Sequence, residues 1–222
     1  WGKLLAGMQY ILTRRGLLSL SVNQAGGFVR SHPSRPHPNM QLYFGAITYT
    51  TSGDGERPLM SPDPFPGFLS SIGQIRPTSR GELHVRSADP LQPVEIHPRY
   101  LSTEEDQKQM LEGVRLLREL GKAPALAKLI ESETTPPPGD GDDELLDDIR
   151  NRASTVYHPS CTNSMGPDHS KAVVDHQCRA HGLGRLRVVD TSVFPTVTSG
   201  NTNAPTIMVA EKASDMILSD RE

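Results

Sequence analysis

Two cysteines, Cys161 and Cys178, are all that 222 residues contain, and they do not form a CxxC pair. That is no disulfide framework, and it excludes the usual cysteine-based zinc modules. The simplest reading is two free thiols in a reducing compartment, and with it a cytoplasmic location, with secretion as the open alternative because a signal peptide would precede Trp1. An excess of one charge is also missing. The formal net charge is −3 and the sequence pI about 6.3, so no long-range field draws the chain to nucleic acid or to an anionic membrane. No apolar run is long enough to cross a bilayer. No internal repeat occurs, and low complexity is confined to the prolines at 136–138. Hydrophobic residues make up only 35% of the chain against 19 prolines. That balance predicts a loop-rich fold of one or two domains that leans on a partner surface to complete its core.

What is present reads as a mixed α/β chain. Residues 2–15 carry Leu4, Leu5, Met8, Ile11 and Leu12 at helical spacing and stop at Gly16, which predicts an opening helix. A cluster of Pro, His and Ser at 32–38 predicts a loop with His32 and His37 in solvent. Residues 41–50 and 68–76 are rich in β-formers, and 82–86 add a shorter strand after a turn at 79–81; together they predict a largely antiparallel sheet. Ser102 followed by Glu105 has the pattern of a capping box. It opens a helix to about residue 120 with Met110, Leu111, Val114, Leu117 and Leu120 inward and Gly121 as its stop. A Pro/Gly linker at 134–141 leads into acidic residues 140–148 around Leu145 and Leu146, read as the solvated start of a short helix. With consecutive acids and no histidine nearby, that run reads as a charged face rather than a metal site.

The chemistry lies toward the C-terminus. Residues 187–189 are a short apolar run ending in Asp190, the pattern of a buried strand that delivers a carboxylate at the edge where ligands gather. A polar stretch follows. Pro205 then introduces a helix over 206–218 whose Ile207, Met208, Ala210, Ala213, Met216 and Ile217 form an apolar face. The unpaired N–H groups at such a helix start, close to Asn203, suit a pyrophosphate or another anionic part of a large cofactor. The same pattern also serves a capped amphipathic helix packed on a sheet. Upstream, VYHPSCTNSMG at 156–166 holds His158 extended through the proline that follows it, and makes it a candidate general base. His158, His169, His176 and His181 fall in one short interval, but their spacings match no usual zinc pattern, and no metal is expected.

The segment YHPSCTNSMG, with VVDHQCRAHGLGRLRVVDTSVFPTVTSGNTNAPTIMVAEKASDMI, resembles the C-terminal signature of the glucose–methanol–choline (GMC) oxidoreductases, FAD-dependent enzymes that oxidise alcohols. The likeness continues upstream through QIRPTSRGELHVRSADPLQPVEIHPRYLSTEEDQKQMLEGVRLLREL, similar to the family's substrate-domain strands and following helix. It also takes in YILTRRGLLSLSVNQAGGFVR near the start, and so covers nearly the whole chain. The resemblance implies the C-terminal part of a two-domain flavoprotein. Residues 1–16 would be a connecting helix and 17–155 a substrate-binding domain with a largely antiparallel sheet. Residues 156–222 would return to complete the FAD-binding domain with a strand and a helix.

Carried over position by position, the resemblance makes His158 the catalytic base and Asn201 the second active-site residue, a place held by histidine or asparagine in different members. The implied chemistry takes the hydroxyl proton of a small-molecule alcohol toward His158 while hydride passes to flavin N5, with Asn201 holding the alcohol oxygen. Asp190 and Thr191 would approach the flavin's linker, Thr202, Asn203 and Thr206 would lie beside its ring system, and Tyr157 would join them as a cofactor-binding residue. The family's commonest form has glycine and then cysteine where this chain has Cys161 and Asn163. GMC proteins also open with a GxGxxG turn that receives the ADP half of FAD. None occurs here, since Gly26-Gly27 and Gly182-Leu183-Gly184 have the wrong spacing. FAD binding is therefore expected only together with an N-terminal half, in the same polypeptide or a separate chain, the more so as the sequence begins at Trp1 without a start methionine or signal peptide. A redox-neutral or light-driven flavoenzyme on the same scaffold, and a non-catalytic partner fragment, are the alternative readings.

Overall fold

The computed structural model describes residues 2–21, 23–51, 60–134, 139 and 141–220. Within them lie five α-helices and seven short strands, a mixed α/β content. The chain divides into two compact units, Trp1–Gly73 with Gly113–Ala127 and Gln74–Glu112 with Lys128–Glu222.

In the first unit α1 (Gly2–Thr13) forms where the apolar periodicity predicts it, and Gly16 follows with φ +96°, a value that favours glycine. Its stripe stays open: Leu4, Leu5, Met8, Ile11 and Leu12 are between 50% and 78% exposed. The strand β1 (Ala25–Val29) pairs antiparallel with β2 (Met40–Gly45), in register from Ala25 opposite Phe44 to Val29 opposite Met40. A Cβ on Gly26 would lie 2.4 Å from the Leu42 carbonyl oxygen, so this close pairing needs glycine there. The loop between the two strands is closed by Asn39, which accepts from the Ser31 amide and donates to the Ser31 hydroxyl, both at 2.9 Å. His32 and His37 are exposed on it. β3 (Tyr49–Thr51) and β4 (Met60–Pro62) form a second antiparallel pair, and β5 (Leu69–Gln74) lies on the other side of β2. Helix α2 (Glu104–Gly121) brings Gly113 against Ile72 and the fully buried Met40. Helix α3 (Pro124–Ala127) is a single turn.

In the second unit β6 (Glu82–His84) and β7 (Glu95–His97) make a short antiparallel hairpin. The sequence predicts one largely antiparallel sheet; the described strands form three separate small ones. The N-terminal part of α2 is capped by Thr103, not by Ser102: the Thr103 hydroxyl accepts from the Asp106 amide at 3.3 Å, and its carbonyl receives the Gln107 N–H. The two hydroxyl residues are adjacent, and the one whose carbonyl starts the helical ladder takes the cap. Asp106, 1% exposed, turns its carboxylate onto the preceding loop. It accepts from the Thr78 and Ser79 amides, each at 2.8 Å, and from the Thr78 hydroxyl at 2.9 Å. Burial pushes the Asp106 carboxyl up, but the hydrogen bonds from Ser79 and Thr78 outweigh it and hold the group below the ordinary carboxylate range. Leu120, expected inward, is 39% exposed at the far end of the helix.

Of the linker at 134–141, residues 135–138 and 140 lie outside the described residues. Helix α4 (Asp142–Arg152) follows, and it is more than a solvated face: Leu145 is fully buried and Ile149 nearly so, while Asp142, Asp143, Glu144 and Asp147 are exposed. Helix α5 (Asn203–Ser219) begins before Pro205 rather than after it. Pro205 sits in the first turn, where its missing N–H has no helical partner to lose. Its apolar face is also shifted. Ala213 is buried and Val209, Ala210, Met216 and Ile217 are partly so, but Ile207 and Met208 are more than half exposed.

Candidate functional site

The expected strand at 187–189 is an extended segment joined to its neighbour by one isolated bridge, Arg179 to Arg187, with the Val188 amide donating to the Cys178 carbonyl at 3.0 Å. Only one edge finds a partner among the described residues, so no longer ladder develops. Asp190 ends it. Its carboxylate accepts from the Ser192 amide at 2.8 Å and caps a 3₁₀ turn at Thr191–Val193. That turn is the anchor of the site. Alternate amides of the histidine loop donate to its successive carbonyls: Cys161 to Thr191, Asn163 to Ser192 and Met165 to Val193, at 3.3, 2.9 and 2.9 Å. The Asn163 side chain adds a bond to the buried Ser192 hydroxyl at 2.9 Å. Beneath, Val174, Val193 and Phe194 form a buried cluster flanked by Cys161, Met165, Val188 and Val209. At the other end of α5 the Asp220 carboxylate accepts from Arg179 and Arg187. Those bonds, with the Arg179 contribution largest, hold Asp220 below the ordinary carboxylate range.

His158 is set by backbone on both sides. Tyr157 before it has φ +58°, a left-handed conformation that costs a side-chain-bearing residue roughly 1–2 kcal/mol, and Pro159 after it keeps the histidine extended. Cys161 is likewise left-handed at φ +73°. This explains why glycine suits that position in the pattern the chain resembles. Two left-handed residues within one short loop are strain of the kind that gathers at functional sites.

Among the described residues the imidazole meets the side chains of Asn201 and Thr202. Asn201 Nδ2 donates to His158 Nε2 at 2.8 Å, and Nδ1 lies 3.2 Å from the Thr202 hydroxyl. With Asn201 as donor, Nε2 presents its lone pair and Nδ1 carries the proton, donated to Thr202. Thr202 is buried and stands at the start of α5; its side chain makes no cap bond to the helix. The arrangement therefore offers a half-buried imidazole with a basic nitrogen shared with a carboxamide, next to a helix N-terminus without a side-chain cap.

His158, Asn201 and Thr202 thus meet. Tyr157 is 72% exposed, Asp190 and Thr191 shape the 3₁₀ turn, and Asn203 is exposed on the first turn of α5. Thr206 directs its amide and its hydroxyl back onto the Thr202 carbonyl. The bond from Thr202 to the imidazole has no signature in the sequence, because the two residues lie 44 positions apart. Both thiols are free; Cys178 is buried, and burial pushes its thiol up. Among the described residues no three His, Cys, Asp or Glu side chains are arranged to hold a metal ion, and no helix is long and apolar enough to cross a membrane. A cleft of about 550 Å³ between Arg179, residues 183–187, Ile217 and Asp220 contains neither His158 nor Asn201. Its Arg179 and Arg187 are engaged by Asp220, so the site is assigned on the imidazole and not on this hollow.

A family model described as GMC oxidoreductase matches residues 77–210. An alcohol dehydrogenase [acceptor] from Pseudomonas putida is 41% identical over 210 residues, 94% of this chain. An oxygen-dependent choline dehydrogenase from Pseudomonas syringae pv. tomato is 40% identical over 221 residues, 98% of the chain. The chain spans 37% of the length of each of these curated relatives. Among solved structures, pyridoxine 4-oxidase from Mesorbium loti superposes with a TM-score of 0.78 at 25% identity, covering 89% of this chain and 38% of that one. A formate oxidase from Aspergillus oryzae, in which FAD modification is described, superposes at 0.83 and 24% identity, covering 98% and 42%, a likeness of fold.

Proposed function

The chain belongs to the GMC oxidoreductases, and on that premise we propose that it forms part of a FAD-dependent enzyme that oxidises the CH–OH group of an alcohol to an aldehyde or ketone. The observation that carries this reading is the contact between His158 and Asn201 at 2.8 Å beside the start of α5. The residues present fit the cofactor. The first turn of α5 offers the amides of Asn203 and Ala204 ahead of Pro205, which has none, and Thr202 does not cap them. Such a terminus stabilises negative charge placed against it by roughly 0.3–1 kcal/mol, and up to about 2 when partly buried. A flavin bound there supplies the hydride acceptor.

His158 Nε2 takes the substrate's hydroxyl proton with the lone pair that now accepts from Asn201, once that amide turns from the imidazole to the alcohol oxygen. Asn201 Nδ2 donates to the alcohol oxygen and holds it where that proton points at the imidazole. The O–H bond breaks toward nitrogen, the C–H electron pair leaves with its hydrogen, and the C=O bond closes. Tyr157, Asp190, Thr191, Asn203 and Thr206 complete the cofactor's surroundings in this reading, and the remaining length of the protein binds the rest of FAD. The substrate class is an alcohol, in keeping with relatives named for alcohol and choline. The test is anaerobic mixing of the complete flavin-loaded protein with primary alcohols. Loss of the oxidised flavin's yellow colour supports the reading; turnover without bleaching, or no reaction with any alcohol, counts against it.

A further inference from the structure

We propose that Arg76 is a positioning residue for Asn201. This rests on the reading of Asn201 as the group that holds the alcohol oxygen. Arg76 Nε donates to the Ser199 hydroxyl at 2.9 Å across 123 positions of sequence, and Ser199 stands just two residues before Asn201. Arg76 is itself exposed, on backbone whose neighbours are fixed. Ile75 beside it is 6% exposed, Pro77 holds Arg76 extended, and Thr78 and Ser79 are fastened to the Asp106 carboxylate.

The other end lies at a bend of the chain. The turn at 198–200 carries a bond from the Thr198 hydroxyl to the Gly200 carbonyl at 3.1 Å, and Ser199 itself is exposed. Asn201 is followed by the buried Thr202, which is set into α5. On its other side come Gly200 and then Ser199, the residue that Arg76 holds. A bond from a guanidinium is stronger than one between neutral groups and restricts that turn more firmly. The hydrogen bonds of His158 go to Asn201 and Thr202, so Arg76 acts on the imidazole through the placement of the amide.

Anaerobic flavin reduction by a primary alcohol tests this in the complete protein, for the parent, Arg76→Met, Ser199→Ala and the double variant. Each single change is expected to slow reduction by up to about 10-fold, no more than removal of the Asn201 amide itself, with little change in alcohol affinity, and the double variant to be no slower than either. Millimolar guanidinium, but not sodium at equal ionic strength, should restore Arg76→Met. Unchanged reduction in Arg76→Met, or losses that multiply in the double variant, overturn the proposal. Failure of the parent to be reduced would sink the alcohol-oxidation reading instead. The effect of Arg76 is then read from the ¹⁵N resonance of the Asn201 side-chain amide, identified by its loss in Asn201→Ala. It moves in Arg76→Met if Arg76 places Asn201, and a resonance that stays in place overturns the proposal.

Discussion

Asn201 donates its side-chain amide to Nε2 of His158 at 2.8 Å although 43 positions separate the two residues. The contact exists because the Thr191–Val193 turn gathers the histidine loop on one side and leads into α5 on the other. If the amide holds the alcohol oxygen, Asn201→Ala removes one hydrogen bond, typically about 0.5–1.5 kcal/mol and hence roughly 3- to 13-fold in rate. Stopped-flow reduction should show that modest loss, and a loss as large as that of a missing base would argue for a second proton acceptor.

Asp106 predicts an acid limb in stability. Its carboxyl is held below the ordinary carboxylate value by its bonds to Ser79 and Thr78. It therefore contributes stability that is present above the unfolded value of about 3.9 and is lost as pH falls through the lower folded one. Asp106→Asn puts an NH₂ opposite a donor in a buried place, and should cost about 1–3 kcal/mol near neutral pH. Denaturant unfolding at neutral and acid pH should show the variant losing less than the parent on acidification. Equal acid sensitivity would assign the limb to other carboxyls.

Phe194, 6% exposed, packs in the cluster beneath both loops of the site. Phe194→Ala should destabilise the second unit by about 3–5 kcal/mol through lost burial and the cavity left behind. It should also loosen flavin retention, since the histidine loop hangs on the neighbouring turn. An unchanged unfolding midpoint would place the load elsewhere.

The two thiols should differ in reactivity. Cys178 is 3% exposed and its thiol is pushed up by burial, whereas Cys161 is only partly buried. Alkylation of the native protein, followed by peptide mass spectrometry, should modify Cys161 first, with Cys178 reacting only on unfolding. Early labelling of Cys178 would contradict its burial.

The helices were legible because their apolar residues repeat at helical spacing and their ends carry punctuation: Gly16 after α1, hydroxyl residues before α2, Pro205 in the first turn of α5. The small strands were less so. In β1 the Gly26-Gly27 pair interrupts any alternation, and β4 and β7 are three residues each, too short for a period to register. Asp106 looks like an ordinary acid in a helix's first turn, since the amides it holds lie 27 and 28 positions away. The burial of Leu145 within an acidic run, and the exposure of Ile207 and Met208, depend on what packs against them and not on local pattern. The nearness of His158 to Asn201 follows from no spacing rule either; it was reachable only through resemblance to a family whose signature spans both.

The most direct measurement is the rate of anaerobic flavin reduction by a primary alcohol in the complete protein carrying His158→Ala. With the imidazole as general base, the rate should fall by about 10²- to 10⁴-fold while the flavin remains bound. Reduction at nearly the parent's rate would contradict the account, because the hydroxyl proton would then be leaving to some other group.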